Sequence, residues 1–430
     1  MPPVYSRRMT DATDAQLAAQ YEAFPYPRRD PREEAWRLVV GSPGHLREID
    51  YWVFGGRRPA SRPLRALFAG GGTGDGTLML AQQMAAAGRA GSVTWLDRSA
   101  AALKIAQARA AARGLGNIVW ESGSLLELPG SGLGVFDYVD CCGVLHHLPD
   151  PAEGLRALAG VLAPDGGLGL MLYAPHGRTG VYMLQDALRL LAPAEEAPAA
   201  RLDVARRVMR HLPETAWLRQ NRFLDDHVNG GDAGLYDLLL NPRDRAFSVQ
   251  QLVALLETAG LRVACWVEPV RYDPMVWLPD PRLRARAAGL DATSRAALAE
   301  ALTGNISAHI VYCVRGDAAG GSVGVVDPRR ADPLAPDAVP IGREVSGEQL
   351  AGYIQPDGTI AMAFDGLRAP ISLPAMAAAI LRLVDGRRTV GEIGATLASR
   401  GSSLEAFGRA WKATFAALEQ VNRLLLAAPA

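Results

Sequence analysis

The chain has 430 residues, 49% of them hydrophobic, with 45 basic and 45 acidic side chains. That length supplies core for two or three domains, and the charge balance gives no global pull toward nucleic acid or an acidic surface. No apolar run approaches the roughly 18 residues of a membrane span, and the N-terminus MPPVYSRRMTDATDAQL lacks the apolar stretch of a signal peptide. Four cysteines (Cys141, Cys142, Cys265, Cys313) show no metal-ligand spacing, and an adjacent pair suits a disulfide poorly. Reduced thiols, a cytoplasmic protein and no metal site are therefore expected. The abundance of Ala, Arg and Gly is the composition of a GC-rich bacterial gene.

Residues 1–60 read as polar and mostly helical, interrupted by the stiff Phe24-Pro25-Tyr26-Pro27. From residue 61 short apolar runs alternate with helical stretches. LRALFAG, SVTWLD, IVWESG, FDYVDCCG and GGLGLMLYAP are strand candidates. TLMLAQQMAAAG, SAAALKIAQARAAARGL (with Ser99 as N-cap) and PAEGLRALAGVLA are helices between them. Such alternation implies right-handed βαβ units and a parallel sheet over 61–178. A helical insertion over 179–250 breaks the rhythm, with LAPAEEAPAA as a surface loop. The rhythm resumes over 251–315 with the helix SVQQLVALLETAG and the strands LRVACWVE and SAHIVYCVR. Residues 316–345, rich in Gly, Pro and Asp, read as a linker. Residues 346–430 read as a small α+β domain, with a β-like piece at TIAMAFDG and a last helix running through EAFGRAWKATFAALEQVNRLLL.

LFAGGGTGDGT, residues 67–77, joins the first strand to the first helix of the sheet. Ligands of doubly wound sheets bind at that edge. Glycines there let the backbone turn and approach a ligand closely, and free N–H groups at the helix start favour an anion. No lysine follows, which excludes a P-loop, and the dinucleotide spacing G-x-G-x-x-G fails at Asp75 or Thr77. What fits is G-x-G-x-G at Gly70, Gly72 and Gly74. Asp97 closes the second strand 23 residues after Gly74, where a carboxylate can accept both hydroxyls of a ribose. Loop and acid together point to a nucleoside with a small anionic tail.

LFAGGGTGDGT, VTWLDRS, FDYVDCCGVLHHLPDP and VLAPDGGLGLMLYAP, in this order, resemble the successive motifs of class I S-adenosylmethionine (SAM)-dependent methyltransferases. The resemblance implies a Rossmann-like seven-stranded α/β sheet with helices on both faces, its last strand antiparallel. YEAFPYPR, PRDRAFSVQQL and LTGNISAHIVY further resemble a bacterial subgroup that includes protein-lysine methyltransferases. Carried over residue by residue, Gly70, Gly71, Gly72, Thr73 and Gly74 would lie against the methionine part of SAM. Asp97 would take the ribose, with Arg98 beside it. Gly123 and Ser124 would flank the adenine, and Cys142 and Gly143 would face the methionine end. Two positions depart from the family pattern. Phe68 stands where many members have an acid, so backbone carbonyls or another acid must meet the ammonium. Ser124 stands where many have Asp.

The resemblance implies methyl transfer, with S-adenosylhomocysteine as product, to a protein amine or to a small molecule at O or N. A SAM-binding regulator or scaffold without turnover is the alternative. Methyl transfer needs alignment and exclusion of water, and a base only where the acceptor must lose a proton. His146 and His147 are candidate bases, or one packs in the fold while the other contacts backbone. Tyr21 and Tyr26 sit on the stiff segment and could form a lid. Asp140 could orient an amine. Tyr173, His176 and Arg178 lie where an acceptor pocket is often built. No Asn-Pro-Pro-Tyr run follows the fourth strand, and the tail is nearly charge-balanced, which together argue against a nucleic-acid substrate. The winged-helix-like tail (ILRLVDGRRTVGEIGATLA) suits docking or homodimerisation.

Overall fold

The computed structural model describes residues 4–316 and 329–428. Part of the stretch expected to be a linker, 317–328, lies outside the described residues. Seven strands form one sheet: β1 (Leu64–Ala69), β2 (Gly91–Asp97), β3 (Ile118–Ser122), β4 (Phe136–Cys142), β5 (Leu162–Tyr173), β6 (Leu261–Trp266) and β7 (Ala308–Arg315). Their spatial order is β3-β2-β1-β4-β5-β7-β6. The first five pair in parallel, and β7 runs antiparallel to both β5 and β6.

Strand β1 shows why this sheet is central. Leu64, Ala66 and Phe68 face one core cluster, while Leu67 and Ala69 face the other. A strand buried on both faces reads as a continuous apolar run, and helices cover each side. The crossover helices begin where capping chemistry says they should. Ser99 Oγ accepts from the Ala102 N–H at the start of Ala100–Ala112. Ser248 and Gln251 form a reciprocal capping box at Val249–Glu257.

Residues 181–240 form a helical subdomain with its own core, including Leu188, Leu202, Leu235 and Leu239. Phe24, from the segment after the first helix (Val4–Ala23), stacks on Tyr236 of helix Gly231–Leu240 at 5.1 Å between centroids. The N-terminal segment is thereby docked on the insertion.

Two expectations about the tail change. The last helix, Leu404–Gln420, stops six residues before Leu426. Asn422 takes φ +56°, and Leu424–Ala427 becomes strand β11, paired antiparallel with β8 (Val339–Gly342). An apolar LLLA run is ambiguous between helix and strand, and here a partner strand some eighty residues earlier in the chain decides it. That partner, β8, lies in the stretch read as linker. Between them sit a hairpin of β9 (Thr359–Phe364) and β10 (Leu367–Ser372) and helices that include Val390–Ala398.

The tail is tied to the sheet through a buried acid. Glu48, 0% exposed, accepts from Ser42 Oγ at 2.7 Å, Tyr312 Oη at 2.6 Å and Asn422 Nδ2 at 2.5 Å, and pairs with the guanidinium of Arg343. The apolar cluster on this face runs from Leu64 and Tyr138 through Trp52 to Trp411 and Leu425 without a break. No described helix is long and apolar enough to cross a membrane. Among the described residues no cluster of His, Cys, Asp and Glu could hold a metal. Glu48→Ala would leave Arg343 buried without its main counter-ion. It should lower stability by about 3–5 kcal/mol, read by chemical denaturation, whereas the exposed pair Arg409–Glu405 should tolerate Glu405→Ala within about 0.5 kcal/mol.

Candidate donor and acceptor site

A cavity of about 750 Å³ opens over the carboxyl ends of β1, β2, β4 and β5. That is within the roughly 300–1,000 Å³ of small-molecule and cofactor pockets. The chain leaves β1 toward β2 and β3 on one side and reaches β4 on the other, so the two crossovers diverge and leave this crevice between them.

The glycine loop forms its floor. Gly70, Gly72 and Gly74 have φ of +85°, +49° and +100°. A Cβ at Gly70 would come within 2.2 Å of Val144, and one at Gly71 within 2.2 Å of the Trp95 ring. No larger residue fits either place without displacing a packed side chain. Four N–H groups of the loop itself are bonded within the protein. Gly70 and Gly71 donate to the Leu96 carbonyl, Gly74 donates to the Gly71 carbonyl, and Gly72 donates to Asp97 Oδ2 at 2.8 Å. Partners inside the protein reach these donors first, so the loop shapes the floor by close approach.

Asp97 is held by two N–H groups, from Gly72 on Oδ2 and from Ser99 on Oδ1 at 2.9 Å. Each oxygen keeps a further lone pair, the acceptors two vicinal hydroxyls require. Arg98 is exposed at the rim. Gly123 donates to the Asp97 carbonyl at 3.0 Å. Ser124 caps a short turn, its Oγ accepting from Leu126, so its own O–H proton is what it can offer a ligand. Gly143 donates to the Met171 carbonyl at 3.1 Å and, with Cys142, lines the end of β4.

A strap over 21–34 closes the cavity. Its Tyr26 carbonyl would lie 3.2 Å from a Cβ on Gly72. Arg29 grips Asp75 at 2.6 Å, Thr73 Oγ1 donates to the Pro27 carbonyl at 2.8 Å, and buried Arg109 bridges Glu34 (2.6 Å) and Asp75 (2.7 Å). On its other side the strap reaches the insertion. Tyr21 Oη donates to Asp237 Oδ1 at 2.9 Å, and Tyr26 Oη to Asp226 Oδ1 at 3.3 Å. Tyr173 Oη completes the cluster on Asp237 Oδ2 at 3.1 Å. Burial pushes all three phenols above their ordinary range, with Asp237 adding to each and Asp226 to Tyr26, so they stay protonated donors.

The structure divides the histidine pair. His147 lines the cavity, with Nδ1 2.5 Å from the Arg243 carbonyl. That contact assigns the proton to Nδ1 and leaves Nε2, which has no protein partner among the described residues, with a lone pair. His146 is 0% exposed, is absent from the cavity wall and stacks on Tyr173 at 4.0 Å. Desolvation first, then His147 and Arg178, holds it well below the usual imidazole range and thus neutral. Arg178 covers the Tyr173 ring at 3.7 Å and pairs with Asp244 at 2.5 Å, away from the cavity, and His176 is exposed. Asp140 lines the cavity and is 4% exposed. Sequence reasoning missed Asp237. Its signal was a single acid inside GLYDLLL, a run of helix Gly231–Leu240 buried throughout.

Fold and cavity define a Rossmann-like domain with a crevice suited to a nucleoside. Residues 67–168 match the family model described as a methyltransferase domain. An uncharacterized protein of Synechococcus sp. is 31% identical over 281 residues, covering 62% of this chain and 63% of that protein. A ubiquinone biosynthesis O-methyltransferase of Albidiferax ferrireducens is 37% identical over 93 residues, covering 22% of this chain and 36% of that protein. The chain thus spans less than two thirds of the length of these curated relatives. PKMT2 from Rickettsia typhi has the same fold over 90% of this chain and 77% of its own, with a TM-score of 0.61 at 14% identity. Residues 67–168 are thus a methyltransferase domain, set in a Rossmann-like fold.

The residues fit SAM. Two free acceptor positions on Asp97 meet a ribose, and a glycine floor admits close approach. Asp97→Ala should weaken S-adenosylhomocysteine about 100-fold, read by titration calorimetry, because two hydrogen bonds to a charged group are lost.

Proposed function

We propose that this chain transfers a methyl group from SAM to an amine, and that the amine is a protein side chain, lysine foremost. The observation that carries the amine is Asp237. It is 5% exposed, forms part of the cavity wall, and has a tyrosine hydroxyl on each oxygen. The wider wall agrees. Asp14, Glu22, Asp75, Asp97, Asp140 and Asp237 line it against the single arginine Arg98. Asp14 and Asp75 are neutralised by Arg243 and by Arg29 with Arg109. The remainder makes an anionic enclosure, which attracts a cationic acceptor and repels a carboxylate or phosphate. The likeness of YEAFPYPR and PRDRAFSVQQL to the protein-lysine methyltransferase subgroup supports a protein side chain.

SAM supplies an activated methyl on a sulfonium, so the protein need not activate a leaving group. The chain's residues must seat the amine, remove water and accept a proton. Asp237 attracts the ammonium, and the hydroxyls of Tyr21 and Tyr173 set where it stops. The ammonium must shed one proton before its nitrogen lone pair can attack. His147 Nε2, with its proton-bearing Nδ1 fixed on the Arg243 carbonyl, is the base we assign to that proton. The strap and insertion exclude water because Tyr21 and Tyr26 of the strap bond to Asp237 and Asp226 of the insertion.

A small-molecule O-methyltransferase is the second reading, favoured by the ubiquinone biosynthesis O-methyltransferase relative. Incubation of the full chain with methyl-labelled SAM and bacterial extract separates the two. Label in protein bands, abolished by prior acetylation of extract lysines, is the expected result. Label confined to small metabolites would sink the lysine reading. Asp237→Asn should raise the acceptor KM about tenfold or more while leaving S-adenosylhomocysteine affinity within about twofold.

A further inference from the structure

The amino-acid end of SAM carries an ammonium, and that end of the cavity needs an anion. In β1 the residue two before Gly70 is Phe68, whose ring offers no carboxylate. Its register partner across the β1–β4 pair is Asp140. The two side chains meet beside the 41–45 segment, where a Cβ placed on Gly44 would lie 3.3 Å from both Asp140 Oδ2 and the Phe68 ring. Asp140 lines the same cavity as Phe68, Gly70 and Cys142. Tyr138 donates its hydroxyl to Oδ2 at 2.7 Å, and the Cys142 thiol also bonds the carboxyl. Neither is a cation. Without a counter-charge, desolvation pushes the carboxyl up to about 7.

We propose that Asp140 is the anion that receives the ammonium of the methionine moiety of SAM, the acid being supplied from β4 where β1 offers only Phe68. The inference rests on the SAM reading and goes beyond it, because it moves Asp140 from acceptor chemistry to donor binding. An ammonium delivered into this buried position favours the ionised carboxyl, and the ionised carboxyl in turn holds the ammonium. Recognition of the donor is then coupled to pH through this group. Its ionisable neighbours do not compete. Tyr138, Cys141 and Cys142 on β4, and Tyr312 on β7 beyond Tyr138, are all pushed above their ordinary ranges and stay neutral. His45, next to Gly44, is lowered to about 3 and is also neutral. Strands β1 and β5 present the uncharged Phe68 and Gly169 in register with Asp140. His147 faces the cavity from the turn after β4, and an Asp140→Asn comparison separates its contribution.

The test is calorimetric titration of the full chain with S-adenosylhomocysteine and with its desamino analogue, in which hydrogen replaces the α-amino group. At pH 8 the wild type should prefer S-adenosylhomocysteine by about tenfold or more. Between pH 8 and pH 6 that ligand should weaken about tenfold, as the carboxyl protonates, while the analogue changes by less than about twofold. Asp140→Asn should erase the preference and the pH dependence yet bind the analogue as the wild type does, which also reports an intact fold. A variant that keeps the preference, or a wild type whose preference is flat with pH, overturns the proposal. Should the variant bind neither ligand, the wild-type pH series decides alone. A wild type that binds both ligands equally overturns the Asp140 assignment only. One that binds neither overturns the SAM reading with it.

Discussion

The divergence of the chain at β1 is the constraint on which the rest depends. One crossover family leaves β1 toward β2 and β3, and the other builds β4 and β5, so the connections diverge between β1 and β4. A crevice at that place is a consequence of topology. It brings the glycine loop after β1, the acid that ends β2 and the acid inside β4 to one wall. The loop is closely packed. With Val144 and Trp95 already in contact with its backbone, side chains at Gly70 and Gly71 would have to displace packed groups.

Three acids along the cavity sit in three environments. Asp97 is fixed by two backbone N–H groups. Asp237 is fixed by tyrosine hydroxyls, with Gln20 and Asn241 also in contact. Asp140 has a phenol and a thiol beside it and is pushed up to about 7. A buried carboxyl costs energy unless it is paired or hydrogen-bonded. Their partners differ in kind: backbone N–H groups for Asp97, phenols and amides for Asp237, a phenol and a thiol for Asp140. The strap binds to Asp75 and Thr73 of the core and to Asp226 and Asp237 of the insertion, so core and insertion share one cover.

The C-terminal unit is not an independent appendage. Arg343, which pairs with Glu48, also donates to the Gly41 carbonyl at 2.9 Å and to Ser42 Oγ at 2.8 Å. Gly41 and Ser42 line the cavity. A side chain from the tail therefore helps hold a cavity wall, and the shared apolar cluster makes separation of tail and core costly.

Local pattern was enough for much of the core. Apolar runs of strand length, capping serines and glycines at the strand-to-helix turn are short-range signals, and they placed β1 to β7, the loop at Gly70–Gly74 and Asp97. Short-range signals failed where the deciding partner is distant in the chain. β11 reads as helix until β8 pairs with it, and β8 reads as linker for the same reason. His146 and His147 are adjacent and chemically identical, yet one is packed behind Tyr173 and the other faces the cavity. Asp237 gains its meaning only when Tyr21, 216 residues away, reaches it. Sequence by itself determined the sheet and the donor-side floor, because backbone geometry and burial period act over a few residues. Only tertiary structure decided the cluster of tyrosines on Asp237 and the placement of Asp140 beside Phe68, because charge and hydrogen bonding act through space.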